Sequence, residues 1–146
     1  MIRTLWAGDD IPSLSGSLAD WCARQIGLPR PFARPYVTLG VFNGENLIAV
    51  IVFNEWNPEA KVIEFHGAGT SPRWLARHVL REMFAYPFER LGCQMVVTRN
   101  SSRNTRLHRQ LSAYGFQSFL IPRLRGRDDD EIIWTLTDDE WRANGF

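Results

Sequence analysis

Apolar and polar positions follow two rhythms along the chain. A short β-type run, Ile2 to Trp6, leads through Gly8, Asp9 and Asp10 to Ile11, Leu14, Leu18, Trp21, Cys22 and Ile26. That spacing predicts an amphipathic helix with Pro12 in its first turn and Gly27 as its stop. Pro29, Pro31 and Pro35, interleaved with Phe32 and Tyr36, predict an ordered loop rather than a linker. Between Tyr36 and Phe53, two β-rich runs flank Asn43-Gly44-Glu45-Asn46, and Asn-Gly in that place predicts a hairpin. A third strand, Lys61 to Ala68, follows a turn at Asn57-Pro58.

The rhythm then changes. Ser71-Pro72 opens a long helical pattern with Trp74, Leu75, Val79, Leu80, Met83, Phe84 and Phe88 on one broad apolar face. Pro87 should kink or end it, and Gly92 closes the connection. Cys93 to Thr98 predicts a strand. Ser101 or Ser102 then caps a second amphipathic helix through Leu107, Leu111 and Tyr114, stopped by Gly115. The last strands, Phe116 to Ile121 and Ile132 to Leu136, are joined by an Arg- and Asp-rich turn, and Asp138 to Asn144 predicts a terminal helical turn. The strands before and after the long helix should lie side by side and parallel, because a crossover through a helix joins parallel neighbours. The fold class expected is α+β: a mixed, mostly antiparallel sheet of six to seven strands flanked by helices, in one domain over residues 1–146.

Composition narrows the class. The chain has 146 residues, 45% hydrophobic, with a formal net charge of +1, which fits a packed core and excludes a disordered chain. The apolar stretch Leu47 to Phe53 is too short to span a bilayer, and no signal-like segment precedes it, so a cytoplasmic protein without membrane contact is expected. Cys22 and Cys93 sit in patterned segments as small buried hydrophobes. His66, His78 and His108 lack metal-ligand spacing, so no metal is expected. Charge is uneven: residues 71–127 hold eleven arginines against two glutamates, a net of +9, whereas residues 128–146 hold one arginine against seven acids. The arginine-rich block suits an anionic ligand or ion pairs to the acidic tail. Asn54-Glu55-Trp56-Asn57 is either a substrate rim or a polar turn.

The run Asn104-Thr-Arg-Leu-His-Arg-Gln-Leu-Ser-Ala-Tyr-Gly115-Phe116 resembles the GNAT superfamily of acyl-CoA N-acyltransferases, in which an asparagine opens a helix that Gly-Phe closes. The segments Pro72-Arg-Trp-Leu-Ala-Arg, Phe84-Ala-Tyr-Pro-Phe and Leu91-Gly-Cys resemble compact members from tailed phages and prophages, and the element order is the GNAT order. The resemblance implies a splayed parallel strand pair, with the pantetheine arm of acetyl-CoA entering between residues near Phe65 to Gly69 and Thr98 to Asn100. It implies pyrophosphate at the amino end of the long helix, Thr70 to Trp74. The implied donor-binding set is Gly67, Ala68, Gly69, Thr70, Arg73, Trp74, Arg77, Asn100 and Asn104, with Arg103 and Arg106 within reach of the nucleotide phosphates. Arg73 and Arg77, one turn apart, would supply charge in place of the family's Arg/Gln-x-x-Gly-x-Gly/Ala loop, which is absent. Leu111 stands where the family has a tyrosine that protonates the departing thiolate; Tyr114 reads as core. Glu64 is the implied base, and His66, two residues on, shares its strand face. The implied reaction is acetyl transfer to a primary amine. The alternatives are an inactive module binding nucleic acid or protein through its arginines, or a phage enzyme modifying nucleobases. Oligomeric state, a homodimer included, stays open.

Overall fold

A computed structural model describes residues 1–145. The chain runs β1 (Ile2–Ala7), α1 (Pro12–Ile26), β2 (Tyr36–Asn43), β3 (Asn46–Asn57), β4 (Val62–Gly69), α2 (Arg77–Ala85), β5 (Met95–Ser101), α3 (Thr105–Tyr114), β6 (Gln117–Gly126), β7 (Asp129–Thr137) and α4 (Asp138–Ala143). The strands form one seven-stranded sheet in the order β1-β2-β3-β4-β5-β7-β6. All pairs are antiparallel except β4 with β5. The parallel pair is the one bridged by α2, as the order of elements predicts.

Two apolar layers follow from the two-residue alternation of the central strands. On one face Val50 and Val52 of β3 pack with Leu18, Ala19 and Cys22 of α1. On the other, Ile51 and Phe53 join Phe65 and Val96 beneath Val79, Met83 and Phe84 of α2, Leu111 of α3 and Trp141 of α4. Burial on both faces explains the uninterrupted apolar run of β3. Gly27 ends α1 at φ 84°, and its N–H bonds the carbonyls of Ala23 and Arg24.

Three expectations are corrected. The long helix does not open at Ser71: a 3-10 turn over Pro72–Leu75 is followed by extended backbone at Ala76 (ψ 146°), and α2 begins only at Arg77. The cause is Trp74, whose indole folds back onto β4; a Cβ built on Gly69 would lie 2.5 Å from Trp74 Nε1. Pro87 does end the regular helix, as expected: α2 stops at Ala85, and with no N–H to donate at Pro87 the chain widens into a π turn over Tyr86–Arg90. The second amphipathic helix is capped not by a serine but by Asn104, whose side chain accepts from the Leu107 N–H. Last, the Arg- and Asp-rich turn is mostly strand: β6 reaches Gly126 and β7 starts at Asp129. Ion pairs of Arg125 with Asp129 and Glu131 there replace the apolar alternation that marks a strand in sequence.

β3 is also longer than the hairpin pattern suggests. It runs past Phe53 to Asn57, with an irregular register between Asn54 and Asn57 and Glu55 at φ 53°. The Asn57 side chain then accepts from the N–H groups of Glu59 and Ala60, closing the turn into β4.

Gly69 has no room for a methyl group beneath Trp74. Gly69→Ala should therefore displace the 3-10 turn and cost about 1–3 kcal/mol. A thermal melt should fall by about 3–9 °C; an unchanged melting temperature would show that the indole gives way freely.

Candidate active site

The parallel pairing of β4 with β5 covers three register pairs: Val62 with Met95, Ile63 with Val96 and Glu64 with Val97. Beyond Glu64 and Val97 both strands continue, β4 to Gly69 and β5 to Ser101, without bonding each other. Each stays with its outer neighbour instead, β4 with β3 as far as Ala49–Gly69 and β5 with β7 as far as Ser101–Glu131. The result is a V-shaped opening whose inner backbone edges are unpaired. A cleft of about 840 Å³ fills it.

Most of the expected site residues line this cleft: Glu64, His66, Gly67, Ala68, Gly69, Thr70, Trp74, Asn100 and Asn104. Asn54 and Glu55 line it too, which makes that segment part of its rim. Gly67 leaves the β4 edge bare, with only an Ile51 side-chain carbon within 4 Å of a Cβ built there. At the tip of β5, Asn100 Oδ1 meets His108 Nε2 at 3.0 Å, and its buried Nδ2 has no partner within the described residues. His108 in turn packs on Trp134, 5.5 Å between ring centroids.

Other residues lie elsewhere. Arg73 does not line the cleft, and the break at Ala76 takes it off any shared helix flank with Arg77. Arg77 opens instead into a second depression with His78, Leu80, Arg81 and Tyr114. The amides expected to be free between Thr70 and Trp74 are largely used: Thr70 N–H bonds Ile48 O at 2.8 Å, Arg73 N–H the Ser71 hydroxyl and Trp74 N–H the Ser71 carbonyl. Arg103 donates to the Asp128 carbonyl, whereas Arg106 lines the cleft.

Glu64, His66 and Ala68 share the α1-side face of β4. Burial raises the Glu64 pKa above the ordinary carboxylate value, with Arg99 pulling it back and Glu55 pushing it further up. Burial, assisted by Arg99, presses His66 down to about 4, so its ring is neutral at pH 7. Its Nε2–H donates to Asn54 Oδ1 at 3.2 Å, and Phe32 covers the ring at 5.1 Å between centroids. The loop bearing Phe32 is held by Arg34, which ion-pairs with Asp9 at 2.7 Å and lies over the Tyr36 ring. Glu64, raised above the ordinary carboxylate value, is therefore the proton-accepting group of the two, and His66 is a fixed, uncharged neighbour.

The residues that sequence reasoning missed sit opposite. Arg99 donates from Nε and Nη2 to Glu131 Oε2, at 3.2 and 2.8 Å, and Arg125 Nη1 donates to Oε1 at 3.1 Å. All three line the cleft. Alternation alone could have put Arg99 on the Glu64 face of its strand, but its partner Glu131 depends on the β5–β7 register, which no local pattern carries. Among the described residues no group of histidine, cysteine and carboxylate side chains is placed to hold a metal ion.

No protein-family model matches the sequence, and no curated protein matches it. Solved structures match it by shape. A mutant form of the spermidine/spermine N-acetyltransferase SpeG from Vibrio cholerae superposes at TM-score 0.73 with 12% identity, covering 100% of both chains. The protein yncA from Salmonella typhimurium, assigned as an acetyltransferase and solved with its cofactor acetyl-CoA, gives 0.69 at 14% identity over 95% of each chain. A GNAT-family acetyltransferase assignment from Chromobacterium violaceum gives 0.63 at 20%, covering 84% of this chain and 67% of that one. The chain spans 66% of the length of two further matching structures, one of them from T. thermophilus. Identities this low speak for architecture: the chain has the GNAT fold.

Proposed function

We propose that the chain is an acyl-CoA-dependent N-acyltransferase that moves an acetyl group from acetyl-CoA to a primary amine by direct attack. The observation that carries this reading is the V-shaped opening between β4 and β5, floored by Glu64. The unpaired β4 edge suits an amide-bearing chain added as one more strand, and pantetheine is such a chain. Ser71, Asn104 and Arg106 at the cleft wall would face the nucleotide end. Acetyl-CoA supplies the acyl carbon; everything else is positioning and proton transfer by this chain.

Glu64 receives the proton that an ammonium must lose before its nitrogen can attack a carbonyl. Phe32 and the neutral His66 keep that wall dry, which strengthens the pull of the carboxylate on the ammonium. The ammonium gives one proton to Glu64, which passes it to solvent. The neutral nitrogen then forms the carbon–nitrogen bond, the carbon–sulfur bond breaks, the nitrogen sheds its second proton and the thiolate takes up one, so each turnover releases one proton in all. Structural similarity to the spermidine/spermine N-acetyltransferase SpeG supports an amine acceptor.

The alternative, a binding module working through the arginine block, has less to stand on. Arg81 pairs with Glu89 and Arg103 with the Asp128 carbonyl, while Arg99 and Arg125 turn to the cleft, so these four arginines do not form one outward-facing basic surface.

Acetyl-CoA at about a hundred times its dissociation constant should stabilise the protein by about 2.7 kcal/mol, read as a saturable rise in melting temperature; no shift at millimolar ligand defeats the reading. Glu64→Gln should lower kcat by about a hundredfold or more while KM for acetyl-CoA stays put. In the wild type the acid limb of kcat/KM should fall above the usual carboxylate range, and the variant should lose that limb. His66 gives a separate test. Its ring titrates near 6.5 when unfolded and about 4 when folded, so the unfolded chain binds the extra proton between those values. Stability should be full above pH 6.5 and decline towards pH 4. In urea titrations His66→Gln should flatten this decline; an identical slope would show that the ring is solvated.

A further inference from the structure

The cleft has two walls of opposite sign. On the β3–β4 side stand the carboxylates of Glu55 and Glu64 with the amide of Asn54. On the β5–β7 side stand Arg99, Arg125 and Glu131. Glu131 lies beneath its partners: its side chain is 7% exposed, whereas those of Arg99 and Arg125 are 41% and 36% exposed. Glu131 thus holds two guanidinium groups, with Asp129 a further 3.9 Å from Arg125 Nε, and the exposed parts of both forks present N–H donors to the cleft. Each guanidinium has five N–H donors in a planar fork. The contacts to Glu131 use Nε and Nη2 of Arg99 and Nη1 of Arg125, and Arg125 Nε faces Asp129; Nη1 of Arg99 and Nη2 of Arg125 are left suited to an oxyanion.

The register brings the walls close. Glu64 is paired with Val97, the last register pair, so two residues further along the unpaired strands His66 and Arg99 fall on the same sheet face, on opposite sides of the opening. Strands separate by about 5 Å where they pair, and the opening widens from there, a span that a small molecule can bridge. Phe32, Pro31 and Leu28 form an apolar edge beside it.

We propose, resting on the acetyltransferase reading above, that the acceptor is a small aminocarboxylate: its ammonium group against Glu64 and Glu55, its carboxylate on the Arg99–Arg125 pair, its apolar body under Phe32. A polyamine fits this cleft poorly, because its second cationic centre would meet the guanidinium wall. Glu131 is a positioning residue; it fixes the two forks side by side.

The test is a rate comparison on the intact protein with acetyl-CoA and matched acceptors: phenylalanine against phenethylamine, leucine against 3-methylbutylamine, and spermidine. The expected result is a kcat/KM at least about tenfold higher for the acid-bearing member of each pair, a difference worth one charge-assisted contact. Arg125→Gln should collapse that ratio towards one through KM for the amino acid, and Arg125→Lys, which keeps the charge without the fork, should restore part of it. Equal rates within pairs, a preference for spermidine, or a ratio untouched by Arg125→Gln overturns the inference. If acetyl-CoA stabilises the protein and no aminocarboxylate is acetylated, this inference alone falls. If acetyl-CoA does not bind, the reading beneath it falls as well.

Discussion

A strand has two hydrogen-bonding edges, and β4 and β5 have each committed one of them to a different antiparallel neighbour. β4 follows β3 all the way to Gly69, and β5 follows β7 to Ser101. The two ladders diverge with the twist of the sheet, so the parallel pairing between them survives for only three register pairs. Nothing has to be carved to make the cleft. It is the place where two antiparallel blocks, β1–β4 and β5–β7, are joined at one end and left open at the other. The core clusters that hold each face, with Phe65 and Val96 both packed under α2 and α3, keep the joined end shut.

The chemistry follows from which side of the opening each group lands on. Burial alone would neutralise both Glu64 and His66, raising the one and lowering the other. Arg99, across the gap, acts against burial at Glu64 and with it at His66. Two adjacent titratable side chains are thereby driven to different tasks, the carboxylate kept ionisable and the imidazole held neutral by burial and Arg99, with Asn54 fixing its orientation. Arg99 can do this from β5 because Glu131 absorbs its charge only in part, being shared with Arg125.

Local patterns in the sequence revealed what local forces decide: the hairpin at Asn43-Gly44, the stop at Gly27, the parallel pair around α2, and Glu64 and His66 on one strand face. What stayed hidden depends on partners distant in sequence. Trp74 sits on the apolar stripe of a helix, yet its indole is placed by a strand-end glycine, Gly69, and so ends the pattern it belongs to. The outer parts of β6 and β7 are held by Arg125 with Glu131 and by the Arg123 N–H on Asp130, which read in sequence as a charged turn. The Arg99–Glu131 pair needs the register of β5 on β7, and no hydrophobic period encodes it.

The leaving group bears on how much catalytic machinery the fold must supply. Leu111, where the resemblance implies an acid, bears no hydroxyl and is buried in the core. Tyr114 is no substitute: its hydroxyl accepts from Trp141 Nε1, its ring stacks on Phe84 at 4.6 Å, and burial pushes it up to about 12. A thiol, however, ionises near pH 8.5, so a thiolate expelled at pH 7 is within about two pK units of the medium, roughly 2 kcal/mol. An ammonium near pH 10 must instead lose its proton before any bond can form, against a gradient of about three units. The larger penalty lies on the amine side of the cleft, which under the proposed reading is the side that carries Glu55 and Glu64.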